Sequence, residues 1–177
     1  MSGEPQPLTP DMLVHSAGSL AIVVGIISLT GIVFLVAMFI CFAKSLQSLG
    51  ATFGMINDIC VALQYLLTIP IALALAQVLR PYNPAWIRFG TILGILMMLI
   101  ITGAQLALVL GLVAFEQEVV WVTPAMILGV GTWLMITGVV SRATGSLPHS
   151  VLMSSLAVPY LGYPVWAFWL GWHLVGW

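Results

Sequence analysis

Few side chains in this sequence can do chemistry, and most of those lie inside apolar runs, where each must find a partner or be costly. Gln64, Gln105, Trp133, Tyr160 and Tyr163 fall on four different apolar segments. Counted at 1.5 Å per residue from the segment ends, they sit roughly 10 to 18 Å below one face and so form one layer. Two readings fit that layer. In the first, the groups make hydrogen bonds between helices, each worth roughly 0.6 kcal/mol, with the two glutamines paired to each other. In the second, they line a small pocket for a lipid, quinone or other hydrophobic ligand, with aromatic walls and a few placed polar groups. Pro159 and Pro164 favour the pocket, because a proline within a helix frees carbonyls of the preceding turn. Asn57, Gln64 and Thr68 share one helical face. Asp58 is the one carboxylate expected at the edge of the hydrocarbon. It is either a first-turn residue favoured by the helix dipole and near Lys44, or an acid that binds a proton or cation.

Other chemistries find no residue set. His15 and His149 fall at one rim and His173 at the other, so they read as interfacial histidines rather than as haem ligands, which usually lie within spans and face across one buried gap. No Cys/His cluster has metal-ligand spacing. Cys41 and Cys60 are expected at similar depth near one face, unbridged. Ser146 and His149 lack a third member and an oxyanion signature. There is no phosphate-binding glycine loop, zinc-protease helix or nucleophile elbow. The sequence therefore implies no catalytic residue and no cofactor.

The elements that position these groups follow from composition. Of 177 residues, 62% are hydrophobic and 5% charged, whereas a soluble domain needs roughly 25% charged residues to wet its surface. Nine charged side chains cannot do that, so the surface faces lipid. A net charge of −1 offers nucleic acid no basic patch. A span takes about 20 apolar residues, and five runs qualify: 17–43, 58–79, 89–115, 122–140 and 151–172. The fold expected is an all-α bundle of five transmembrane helices. Residues 1–16 form a polar, proline-rich tail, and 17–177 a single membrane domain. Arg80, Arg88 and Arg142 share a face with the N-terminus, against Lys44 alone on the other, which places the N-terminus in the cytoplasm and the C-terminus outside.

Small residues mark where helices touch: Ala17, Ala21 and Gly25; Gly90 and Gly94; Gly103, Ala107 and Gly111; Ala125 and Gly129. They serve packing within the chain or a face reserved for another subunit or a second copy. No internal repeat is evident, which argues against an inverted-repeat transporter. The stretch Gly131-Thr132-Trp133-Leu134, with Gly138, Arg142 and Ser146-Leu147-Pro148-His149 before a final span, resembles uncharacterised multi-pass bacterial membrane proteins. The resemblance covers the last quarter of the chain and implies only a helical membrane fold; the localisation expected is a bacterial inner membrane. The function expected is that of a non-enzymatic packing or accessory subunit of a larger membrane assembly or homo-oligomer. The alternative is a small transporter, channel or binder of a hydrophobic ligand.

Overall fold

Backbone groups in lipid have no water to bond, so an apolar chain satisfies them within helices and keeps each helix running until a cap stops it. The computed structural model describes residues 10–144, together with Trp172 and Val175. It contains α1 (Pro10–Ala43), α2 (Gln47–Leu79), α3 (Pro84–Val109), α4 (Phe115–Pro124), a π-helical stretch (Ala125–Val130) and α5 (Gly131–Thr144). The last three follow one another without a break. The described residues thus hold four rods long and apolar enough to cross a membrane. The expected fifth run, 151–172, lies outside the described residues except for Trp172.

The rods exceed their apolar windows. α1 starts at Pro10 rather than Ala17, and α2 at Gln47 rather than Asp58. Residues 44–57, expected as a connection, shrink to a tight turn. Its geometry is a Schellman closure: the Leu46 amide donates to the Cys41 carbonyl at 2.9 Å and the Ser45 amide to that of Phe42 at 3.0 Å. Ser45 takes φ 61° at the position glycine usually fills. The α3–α4 turn closes in the same way, with Leu112 donating to Ala107 at 2.8 Å and Gly111 at φ 69°. That glycine stops α3 at Val109, short of the expected Phe115. The Gln117 side chain then accepts from the Ala114 amide at 3.0 Å and α4 begins. At the opposite end Asn83 caps α3 by accepting from the Trp86 amide at 3.3 Å, and Pro84, whose missing N–H costs nothing in a first turn, follows it.

α1 lies along α2, α2 along α3, and α3 along the fourth rod. One contact fixes the register of the middle pair: the Thr102 hydroxyl donates to the Ala62 carbonyl at 3.4 Å. The main core joins Ala21 and Val24 of α1 to Tyr65 and Ile71 of α2, Met98 and Ile101 of α3, and Met126 and Trp133 of the fourth rod. Two glycines bring α3 and that rod together. A Cβ on Gly94 would lie 2.7 Å from Trp133 Cγ, and one on Gly129 would collide with the Met97 side chain. Pro124, with no amide to donate, precedes the π-helical stretch that turns Met126, Gly129 and Val130 inward. Most of the small-residue faces are consumed within the chain: Ala17, Ala21, Gly25, Gly90, Gly94, Ala125 and Gly129 are all buried. Gly103 differs, since a Cβ there would meet nothing within 4 Å.

α2 has 33 residues and α3 has 26. The seven-residue difference carries the α1–α2 hairpin about 10 Å past the α3–α4 turn. Phe34 and Phe53 meet across this hairpin as tilted rings with centroids 5.8 Å apart.

Candidate functional site

The expected polar layer separates into two levels, and its main partner is a residue that the sequence had placed in a loop. Because α3 ends at Val109, Gln105 lies four residues, about 6 Å, from that end. Glu118 lies in the first turn of α4, at the same height. The Gln105 Nε2 donates to Glu118 Oε1 at 2.6 Å. Gln105 is only 5% and Glu118 4% exposed, so this is a buried amide–carboxylate contact. Gln105 therefore pairs with Glu118 and not with Gln64. Glu118 had been expected in the connection over residues 116–121, between the third and fourth apolar runs. A helix starting at Phe115 turns it inward while leaving Glu116 and Gln117 exposed.

Asp58 is the third member. It stands four residues before Ala62 on α2, and the Thr102–Ala62 bond sets it level with Gln105 on the antiparallel α3. Its charge and that of Glu118 lie within interaction range. Asp58 is not a first-turn residue: it lies eleven residues, about 16 Å, from the start of α2 at Gln47, so neither the helix dipole nor Lys44 in the turn compensates it. Its recorded partner is the Asn57 amide, with Nδ2 donating to Asp58 Oδ1 at 3.2 Å.

One acceptor at this site is unmet. Gln105 Oε1 is buried with no hydrogen-bond partner among the described residues. An orphaned buried polar group costs about 1–3 kcal/mol. No lysine or arginine supplies a partner. Arg80, Arg88 and Arg142 stand at the far ends of α2, α3 and α5, and Lys44 sits at the hairpin tip. Among the described residues no three His, Cys, Asp or Glu side chains form a metal-binding group.

Below this level a cavity of about 20 Å³ opens between α1, α2 and the π-helical stretch, lined by Ser28, Asn57, Val61, Gln64, Tyr65 and Met126. That volume suits one water molecule in polar surroundings. Asn57 belongs to both places, so the cavity adjoins the Asp58 carboxylate through its neighbour. Gln64 sits six residues, about 9 Å, below Asp58 and serves the cavity. Thr68, one turn further on, returns its hydroxyl to the Gln64 carbonyl at 2.6 Å. Trp133 does not join the layer. It is 1% exposed and packs on Gly94, eleven residues, about 16 Å, along α3 from Gln105. Tyr160 and Tyr163 lie outside the described residues, as do His149 and His173.

Cys41 and Cys60 are free thiols. They are not at one depth: Cys60 packs beside Gly31, its Cβ 3.2 Å from where a Gly31 Cβ would lie. Cys41 is ten residues, about 15 Å, further along α1.

A signal for Glu118 was present in the sequence. Gly111 followed by a stretch with Glu116 and Glu118 matches a glycine helix stop and an acidic first turn. No protein-family model matches this chain, and neither a curated protein nor a solved structure matches it.

Proposed function

We propose that this chain is a small channel or transporter that binds a monovalent cation, most simply a proton, at Asp58, Glu118 and Gln105. The observation that carries the reading is the buried Gln105–Glu118 contact, level with a second acid, whose Gln105 oxygen has no partner among the described residues and from which every lysine and arginine stands apart. Burying an unpaired carboxylate costs several kcal/mol, and a bound proton or small cation removes that cost. A proton on Glu118, or an alkali ion held by oxygens, also meets the orphaned amide oxygen. The water-sized cavity beside Asn57 provides the next step inward along α2. Asp58, only half-buried, is the member open to an arriving ion. In a protein that crosses the bilayer, an acid placed so is a functional position by default.

Reading the chain as a packing subunit rests on the one small-residue face left open, around Gly103. The other such faces already bury helix contacts within the chain.

Reconstitution into liposomes containing either a pH-reporting or a sodium-reporting dye tests the reading. With a potassium diffusion potential imposed, proton or sodium entry is expected from the parent protein. Glu118→Gln and Asp58→Asn, which keep shape and hydrogen bonding, are expected to abolish it. Vesicles as tight as protein-free ones under both ions, or flux unchanged in both variants, would overturn the proposal.

A further inference from the structure

A second site stands at the opposite end of the bundle, independent of the acids. There the chain turns from α2 to α3 through Arg80-Pro81-Tyr82-Asn83. The turn is edged by Tyr82, Trp86 and Phe89, each more than half exposed. Trp86 and Phe89 meet edge-on with centroids 6.3 Å apart. Exposed tyrosine and tryptophan at a span end mark the level of the lipid headgroups. Between α2 and α3 at this level lies an open crevice of about 420 Å³. Arg80 and Arg88 form its polar mouth, with Gln77 and Thr91 beside them. Leu73 and Ile92 continue the wall toward the membrane centre. Both guanidiniums are exposed, and among the described residues neither has an ion pair. Aspartate and glutamate do not occur among the lining residues.

We infer that this crevice binds an anionic phospholipid, its phosphodiester held between Arg80 and Arg88 and one acyl chain laid along Leu73 and Ile92. Guanidinium presents paired N–H donors to phosphate oxygens in a fixed fork, which lysine cannot match. Gln77 and Thr91 add neutral donors at the same level. Two cations with no acid between them favour a net-negative headgroup over one carrying its own ammonium. The apolar wall below requires a lipid rather than a free phosphate ion. Basic pockets between spans near one membrane face recognise such headgroups in this way.

Native mass spectrometry of the purified full chain tests the inference, after exposure to equimolar phosphatidylglycerol and phosphatidylcholine. Each arginine is worth roughly fivefold, so retention of phosphatidylglycerol should exceed that of phosphatidylcholine by roughly twenty-five-fold. The double variant Arg80→Gln/Arg88→Gln should bring the two lipids to parity, and Arg142→Gln, away from the crevice, should leave the preference intact. Arg80→Lys/Arg88→Lys should keep part of it, showing that charge and not folding was lost. Equal retention by the parent protein would overturn the site. So would a preference that survives the double glutamine variant, or one erased by millimolar inorganic phosphate.

Discussion

The two ends of the bundle carry opposite charge and treat it in opposite ways. At the α3–α4 end, Asp58 and Glu118 are drawn between helices, with Glu118 only 4% exposed. At the α2–α3 end, Arg80 and Arg88 stay exposed around an open crevice. Side-chain length explains part of the difference. An arginine reaches the interface from a buried stem, so it stays solvated wherever its Cα lies. A glutamate in the first turn of a helix must follow the face its backbone dictates, and Gly111 with the turn it closes points that face at α3. Charge at the exposed end is free to recognise something outside. Charge at the buried end must be neutralised in place, and this difference underlies both functions proposed above.

The sharpest test of the contrast is all-or-none. A cysteine at Ala85, exposed at the arginine end, should react only with reagent applied from the cytoplasmic side. One at Gln117, exposed at the acid end, should react only from outside. Labelling of both from one side would put the ends on one face and dissolve the comparison, whereas reversed labelling would keep the contrast and invert the protein.

Stability gives the next effect. Glu118→Ala strips the Gln105 amide of its partner and should cost about 1–3 kcal/mol. Gln105→Leu/Glu118→Leu removes both members and should cost less than the single change, which denaturant titration in detergent can measure. A double variant worse than Glu118→Ala would mean that the pair has further partners.

A smaller gain is expected at the hairpin tip. Ser45 occupies a left-handed conformation that costs a non-glycine residue roughly 1–2 kcal/mol. Ser45→Gly should recover up to about 1 kcal/mol, since glycine also gains freedom in the unfolded chain. A loss of stability on this change would show that the Ser45 side chain does more than tolerate the turn.

The smallest effect belongs to the arginines. Arg80→Gln and Arg88→Gln should leave the unfolding midpoint of lipid-free protein unmoved, because exposed positions without partners contribute little to folding. A marked drop would mean that they act in folding, against the division between a buried acid end and an exposed, recognising basic end.

Some of this was legible in the sequence. Four of the expected spans match rods in the structure because a bilayer demands about 20 apolar residues wherever a chain crosses it, and that count survives any arrangement of helices. Asp58, Gln64 and Gln105 were identifiable for the same reason, as polar groups with no water to turn to. Helix ends were less legible. Apolar windows stop at the first polar residue, whereas helices run on to a cap, so α2 begins at Gln47 and Asp58 sits within it rather than at its start. Partner identity was decided by tertiary structure alone. Glutamine–glutamine pairing depended on depth counted from span ends; closing α3 at Val109 and starting α4 at Phe115 shifted those depths and gave Gln105 to Glu118. Trp133 likewise went to the core, because Gly94 leaves a gap there that an indole fills. Hydrophobicity along a chain reports which segments leave water; which polar atoms then meet depends on where each helix stops and which way it faces, and turns and interhelical contacts set both.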